Sequence, residues 1–341
     1  MIRHGSEVKV TFSRAFAEPS MMTTSATRSP WSSMDAIVRC TPSRSSLPPV
    51  LMLRPGTWLP LLLDFPRPYS DAMSVSDELM VGLVTHEGSR FRSRGMATLE
   101  RVSAAAKAAG VDARVLVSDR NDADPHQHSL TRGTVAASAR HQAEIEARWR
   151  AHVGGREVSS VPSLLTLGMQ ARRSFDSIES VLRLLNIDYS HLRVWRHALA
   201  TGASAALVVE DDAQLVDEHV GEFLADLLPL IQQHSVLLNC SRSIAVDDLG
   251  IASILREATT IFQFQEVRVT ETDRAITNTV CANLYSHDFL EGLVAFIDRR
   301  GLFPVVPIDW RVNEFLLHHP EMQTWWVDPA PFVQGSMHEM G

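Results

Sequence analysis

Residues 204–215, Ser-Ala-Ala-Leu-Val-Val-Glu-Asp-Asp-Ala-Gln-Leu, run apolar and then stop on three consecutive carboxylates, Glu210, Asp211 and Asp212. A short apolar, partly β-branched run of this kind reads as a strand buried on both faces. Three acids at its end do not belong in a core, because unpaired buried charge is too costly. They therefore face a cleft, and clustered carboxylates call for a counter-cation. Mg²⁺ or Mn²⁺, bound through oxygen, suits such a site. In an open α/β sheet the ligand crevice lies at the carboxyl ends of the strands, where this cluster falls. The plainer alternative is a strand that runs into a solvated turn and a helix N-terminus, which also favours negative charge.

The composition is that of an ordinary globular chain: 341 residues, 45% hydrophobic and 21% charged, with a net charge of −8. The negative balance argues against general nucleic-acid binding. No apolar run reaches the ~20 residues of a membrane helix, so no transmembrane segment is expected, while peripheral membrane contact stays compatible. Cys40, Cys240 and Cys281 have no metal-ligand spacing, and an odd, low count points to a reducing, cytoplasmic setting. Residues 1–73 differ from the rest: they hold 9 of the 17 prolines and carry +3, leaving −11 on the remainder. Their lack of periodicity predicts a disordered tail, or an upstream extension before a start at Met73 or Met80. One domain is expected over 74–341.

Along that domain, Met80–Thr85 reads as the first strand and passes into a polar loop with Arg90 and Arg92. Apolar spacing predicts a helix over 96–109, closed by Gly110, and a strand over 113–117 that ends near Asp119. Strand, basic loop, helix, strand, acidic loop is a mononucleotide-binding βαβ pattern, without GxGxxG or GxxxxGK[ST]. Helices are expected over 131–153, 164–185 and 186–200, with Gly202 as punctuation before the acidic strand. A helix over 216–232, a strand over 235–240, loose strands over 260–269 and a strand over 279–285 follow. Ser286 caps a helix over 287–300, a short helix runs to His318, and Thr324–Val327 is a last strand. Trp325 and Trp326 in it are either an exposed stacking platform or core. No internal repeat and no GxSxG nucleophile elbow occurs.

Several pieces in this order resemble glycosyltransferase family 25. They are Ser190-His191-Leu192-Arg193-Val194-Trp195, a spacer, Val209-Glu210-Asp211-Asp212, Cys281–Ser286, Pro307-Ile308-Asp309, and a terminal segment with Gln334 and Ser336. The likeness covers roughly 81–338 and is most specific over 186–215. The chain departs from the family pattern at Val84-Thr85-His86, at Ile187-Asp188-Tyr189 and in a long insertion over 124–185, which marks a divergent relative.

The resemblance implies a GT-A-like fold, a mixed and mostly parallel sheet flanked by helices. It also implies a nucleotide-diphosphate-sugar donor, UDP-sugar foremost, a glycan, lipid-linked or protein hydroxyl acceptor, and a divalent metal. Glu210 and Asp212 are the candidate metal ligands, pointing together if the strand stays extended, with Asp211 turned toward the donor. Asp309 is the candidate general base of an inverting transfer, or a helix N-cap. His338 is a late candidate ligand. Thr85, Arg90, Arg92 and Asp119 are candidate donor contacts, with surface ion pairs as the alternative for the arginines. His191 either reaches the donor, braces the acidic strand or fills the core. Two other functions use the same features: metal-dependent phosphoryl or nucleotidyl transfer, and donor binding without catalysis.

Overall fold

The computed structural model describes residues 76–86, 88–119, 130–153, 177–242, 258–272 and 280–335. The acid-bearing run forms β3 (Ala203–Glu210), and every residue before Glu210 is buried. Period-two alternation explains its nearly all-apolar character, since both faces are covered, and the buried exception, Ser204, donates to the Glu78 carbonyl at 3.1 Å. Ala205, Leu207 and Val209 join one core, and Ala206 and Val208 the other. Each fully buried valine or leucine contributes about 1.5–3 kcal/mol.

On one flank of β3 lies β1 (Ser76–Val84), parallel to it, and β2 (Ala113–Ser118) lies parallel beyond β1. On the other flank β9 (Ala282–Ser286) runs antiparallel, followed by β5 (Val236–Asn239), β10 (Gln323–Asp328), β8 (Val267–Thr272) and β7 (Thr259–Phe264). The eight-stranded order is β2-β1-β3-β9-β5-β10-β8-β7. β8 and β9 run against the other six strands, so the sheet is mixed and mostly parallel, as expected for an α/β fold.

Helix α1 (Arg92–Ala108) and α4 (Val220–Ile231) bury their apolar stripes on one face. Helices α3 (Ile178–Thr201), α5 (His287–Arg300) and α6 (Ile308–His318) cover the other. Helix α2 (Arg132–Val153) reaches α6, where Trp149 and Trp310 meet edge to face at 5.6 Å. A second sheet joins β4 (Ala213–Leu215), β11 (Phe332–Gln334) and β6 (Ser241–Arg242).

The differences from sequence expectation have local causes. α1 begins at Arg92, not residue 96, because Ser89 accepts the Phe91 amide at 3.2 Å and starts the turn earlier. The helices expected over 164–185 and 186–200 are one helix from Ile178. Ser177 caps it by accepting the Ser180 amide at 3.1 Å, and Gly202 ends it at φ 68°, where glycine carries no Cβ penalty. The start of the first of these, before 177, lies outside the described residues. The small sheet was not expected, since three-residue strands carry too little periodicity to read. Trp325 and Trp326 are 2% and 6% exposed, so they are core and not a stacking platform. Among the described residues no helix is long and apolar enough to cross a membrane.

Candidate functional site

Register brings the carboxyl ends of three strands level. Val84 pairs with both Ser118 and Glu210, so Thr85, Asp119 and Asp211 follow side by side. The extended backbone stops at Glu210, and Asp211 and Asp212 occupy a turn. The alternation expected past Glu210 therefore does not apply, and the three acids are held by three different donors. His191 Nε2 donates to Glu210 Oε1 at 3.2 Å, Thr85 Oγ1 to Asp211 Oδ2 at 2.6 Å, and Gln334 Nε2 to Asp212 Oδ2 at 3.1 Å. The Cys281 thiol lies 3.8 Å from Asp212 Oδ1; burial and then the Asp212 and Glu210 charges push it well up, so it is an inert thiol.

All three carboxylates line a cavity of about 900 Å³. Its floor is formed by Thr85, His86 and residues 88–91, with Arg90 stacked on the Phe91 ring at 4.4 Å. Its far wall is α3, through Glu179, Arg183, Asn186 and Ser190. Helix α1 seats its first turn against the acids. A Cβ on Gly95 would lie 2.7 Å from the Asp211 Cα, so only glycine permits this approach. The positive end of that helix then faces negative charge.

Of the candidate residues, Thr85, Arg90, Glu210, Asp211 and Asp212 come together in the cavity wall. His191 is fully buried; it braces Glu210 from behind and does not line the cavity. Arg92 and Asp119 pair with each other at 3.0 Å, 35% and 42% exposed, and neither lines the cavity. His338 lies outside the described residues. Arg183, Asn186, Glu179 and Ser190 were missed, although their helical spacing of 4, 3 and 4 is a readable polar stripe. Gln334 was visible only as part of the family-like terminal segment.

Asp309 is in the first turn of α6, but the cap position is Pro307, so the N-cap alternative does not hold. Its Oδ1 accepts the Trp310 amide at 2.8 Å. Burial pushes its carboxyl up to about 6; the Trp310 amide opposes this, and the Glu210 charge adds to it. It is not among the residues lining the cavity. α6 is anchored by Glu314, which accepts from Arg311 at 2.6 Å, Arg300 at 2.8 Å and His141 at 3.3 Å. Burial raises the Glu314 carboxyl, but the His141 hydrogen bond and the Arg311, His141 and Arg300 charges overcome it and hold it at about 2.

The donor set fits a hard divalent cation in one form only. Among the described residues no three His, Cys, Asp or Glu side chains are gathered to hold a metal ion. Carboxylate oxygens in one cavity do suit Mg²⁺ or Mn²⁺ bound through one or two protein ligands and completed by a diphosphate. In comparisons with known proteins, the chain matches no family model, and no curated protein matches it significantly.

Proposed function

We propose that the chain is a glycosyltransferase of GT-A-like fold, a divergent relative of family 25. It transfers a sugar from a nucleotide-diphosphate donor, UDP-sugar foremost, to a hydroxyl acceptor. One observation carries this reading: three carboxylates at the end of a central strand share one cavity with Arg90 and Arg183. That charge layout suits a metal-bound diphosphate, cations on the phosphates and acids toward the metal. Asp212 and Glu210 would hold the metal, which when bound offsets charge on the departing diphosphate. Thr85 fixes Asp211, and His191 fixes Glu210, so both carboxylates are oriented before a ligand arrives. Asp309 accepts the proton of the acceptor hydroxyl, and a carboxyl near 6 is ionised for this at neutral pH.

The test is thermal unfolding of the full chain with Mn²⁺ and UDP-, GDP- or CMP-sugars, since a ligand of the native state raises the melting temperature. A metal-dependent rise with one nucleotide class, lost in Asp212→Ala and reduced in Arg183→Gln, is expected. No rise with any donor removes the reading. Donor binding without transfer is a second reading, favoured because Asp309 does not line the cavity. Product analysis at saturating donor separates the two. It also separates sugar transfer from phosphoryl or nucleotidyl transfer.

A further inference from the structure

Asp188 lies on α3, one turn before His191, and is 0% exposed. Among the described residues neither of its carboxyl oxygens has a hydrogen-bond partner. The groups that reach it are on α6: Arg311 attracts its charge and Asp309 repels it. Arg311 is already committed, its Nη1 to Glu314 Oε2 at 2.6 Å and its Nη2 to the Pro304 carbonyl at 2.7 Å. Its Nε has no partner either, so no hydrogen bond joins the two side chains. The remaining charges stand one step away: Glu146 of α2 and Glu210 of β3 act on Asp309, and His191 of α3 is bonded to Glu210.

A buried carboxylate with no donor is among the costliest groups a protein can hold, and such groups neutralise instead. A carboxyl that also feels the charge of a second one is further disfavoured from ionising, and the better-solvated of the two takes the charge. Asp309 is partly exposed and accepts the Trp310 amide at 2.8 Å. Asp188 has neither advantage. We infer that Asp188 is a neutral carboxylic acid at neutral pH, a positioning residue that leaves Asp309 the ionised one of the two carboxyls. The catalytic consequence rests on the proposed role of Asp309; the charge state of Asp188 does not. Burial raises the Asp188 carboxyl well above its ordinary range, which agrees with the geometry.

The sign is fixed by linkage. A carboxyl that keeps its proton in the folded state but loses it on unfolding destabilises the fold increasingly as pH rises. Asp188→Asn keeps the shape without a titrating proton. Urea unfolding of the full chain without ligand is compared between about pH 5 and about pH 8. The midpoint of Asp188→Asn is expected to rise relative to wild type as pH increases. A gap that does not change with pH, or a variant that loses ground as pH increases, overturns the inference, the latter by marking an ionised Asp188 held by Arg311. Should Asp188→Asn fail to fold, infrared spectra of the wild type at about pH 8 decide. The carbonyl stretch of a protonated, exchange-protected carboxyl is expected, and its absence overturns the inference. In a turnover assay with a UDP-sugar, the acid limb of the rate profile stays in place in Asp188→Asn, and a displaced limb overturns the inference. If no donor turns over, the unfolding and infrared results still stand, so failure of the transferase reading is told apart from failure here.

Discussion

Glu314→Gln is predicted to loosen the support on which Asp309 stands. The carboxyl is 2% exposed and receives Arg311, which is equally enclosed, together with His141 and Arg300. Its folded value is about 2 against an ordinary 4.5, so its contribution is fully present above about pH 4.5 and is lost as pH falls toward 2. A displacement of that size amounts to about 3 kcal/mol. An independent route gives a similar figure: removing one partner of a buried ion pair costs about 3–5 kcal/mol, because the other charge is left uncompensated. Arg300, 43% exposed, is screened and adds little to either figure. The expected loss is therefore about 3 kcal/mol at neutral pH, read from urea unfolding of wild type and variant at about pH 7 and about pH 3. The gap should narrow at the lower pH, where the wild type begins to lose the same contribution. A loss below about 1 kcal/mol at neutral pH, or a gap unchanged by acid, would refute the reasoning.

Two further outcomes are expected. Asp309→Asn abolishes sugar transfer while donor-induced thermal stabilisation survives, and wild-type transfer rises as pH passes through about 6, where Asp309 ionises; turnover in the variant removes Asp309 from the mechanism. Gly95→Val drives a side chain into the Asp211 backbone, so donor stabilisation is lost and the melting temperature falls; an unchanged donor response would show that the close approach does not set the acid turn.

The central strand and the acids at its end were legible because an uninterrupted apolar run closed by charge has few physical solutions. The same held for Ser286, whose hydroxyl accepts the Phe289 amide at 3.3 Å, since a cap acts within one turn and can be read locally. His191 was harder. Its sequence neighbours do not say that the ring faces Glu210 from the core, because that depends on how α3 crosses β3. Asp309 was found through a short motif, but that it is not among the residues lining the cavity depends on where α6 is placed in the fold, which no local pattern carries. The Gln334 contact with Asp212 joins residues far apart in sequence, and the strand that delivers it is too short to show a period. Local chemistry was readable, then, and long-range geometry was not.

The small sheet has a consequence for the order of events during synthesis. β4 follows the acids directly, yet its partner β11 is made almost at the end of the described chain. The Gln334 amide and the Gly335 backbone N–H, which reaches the Asp212 carbonyl at 2.7 Å, arrive with it. A nascent chain can therefore build β1, β2 and β3 early, while the acid turn waits for its final two donors. Translation proceeds at roughly 5–20 residues per second, so the turn stays incomplete for several seconds after β3 has emerged. Assembly of the cavity thus waits for synthesis of β11 and does not follow at once from formation of the strand that carries its acids.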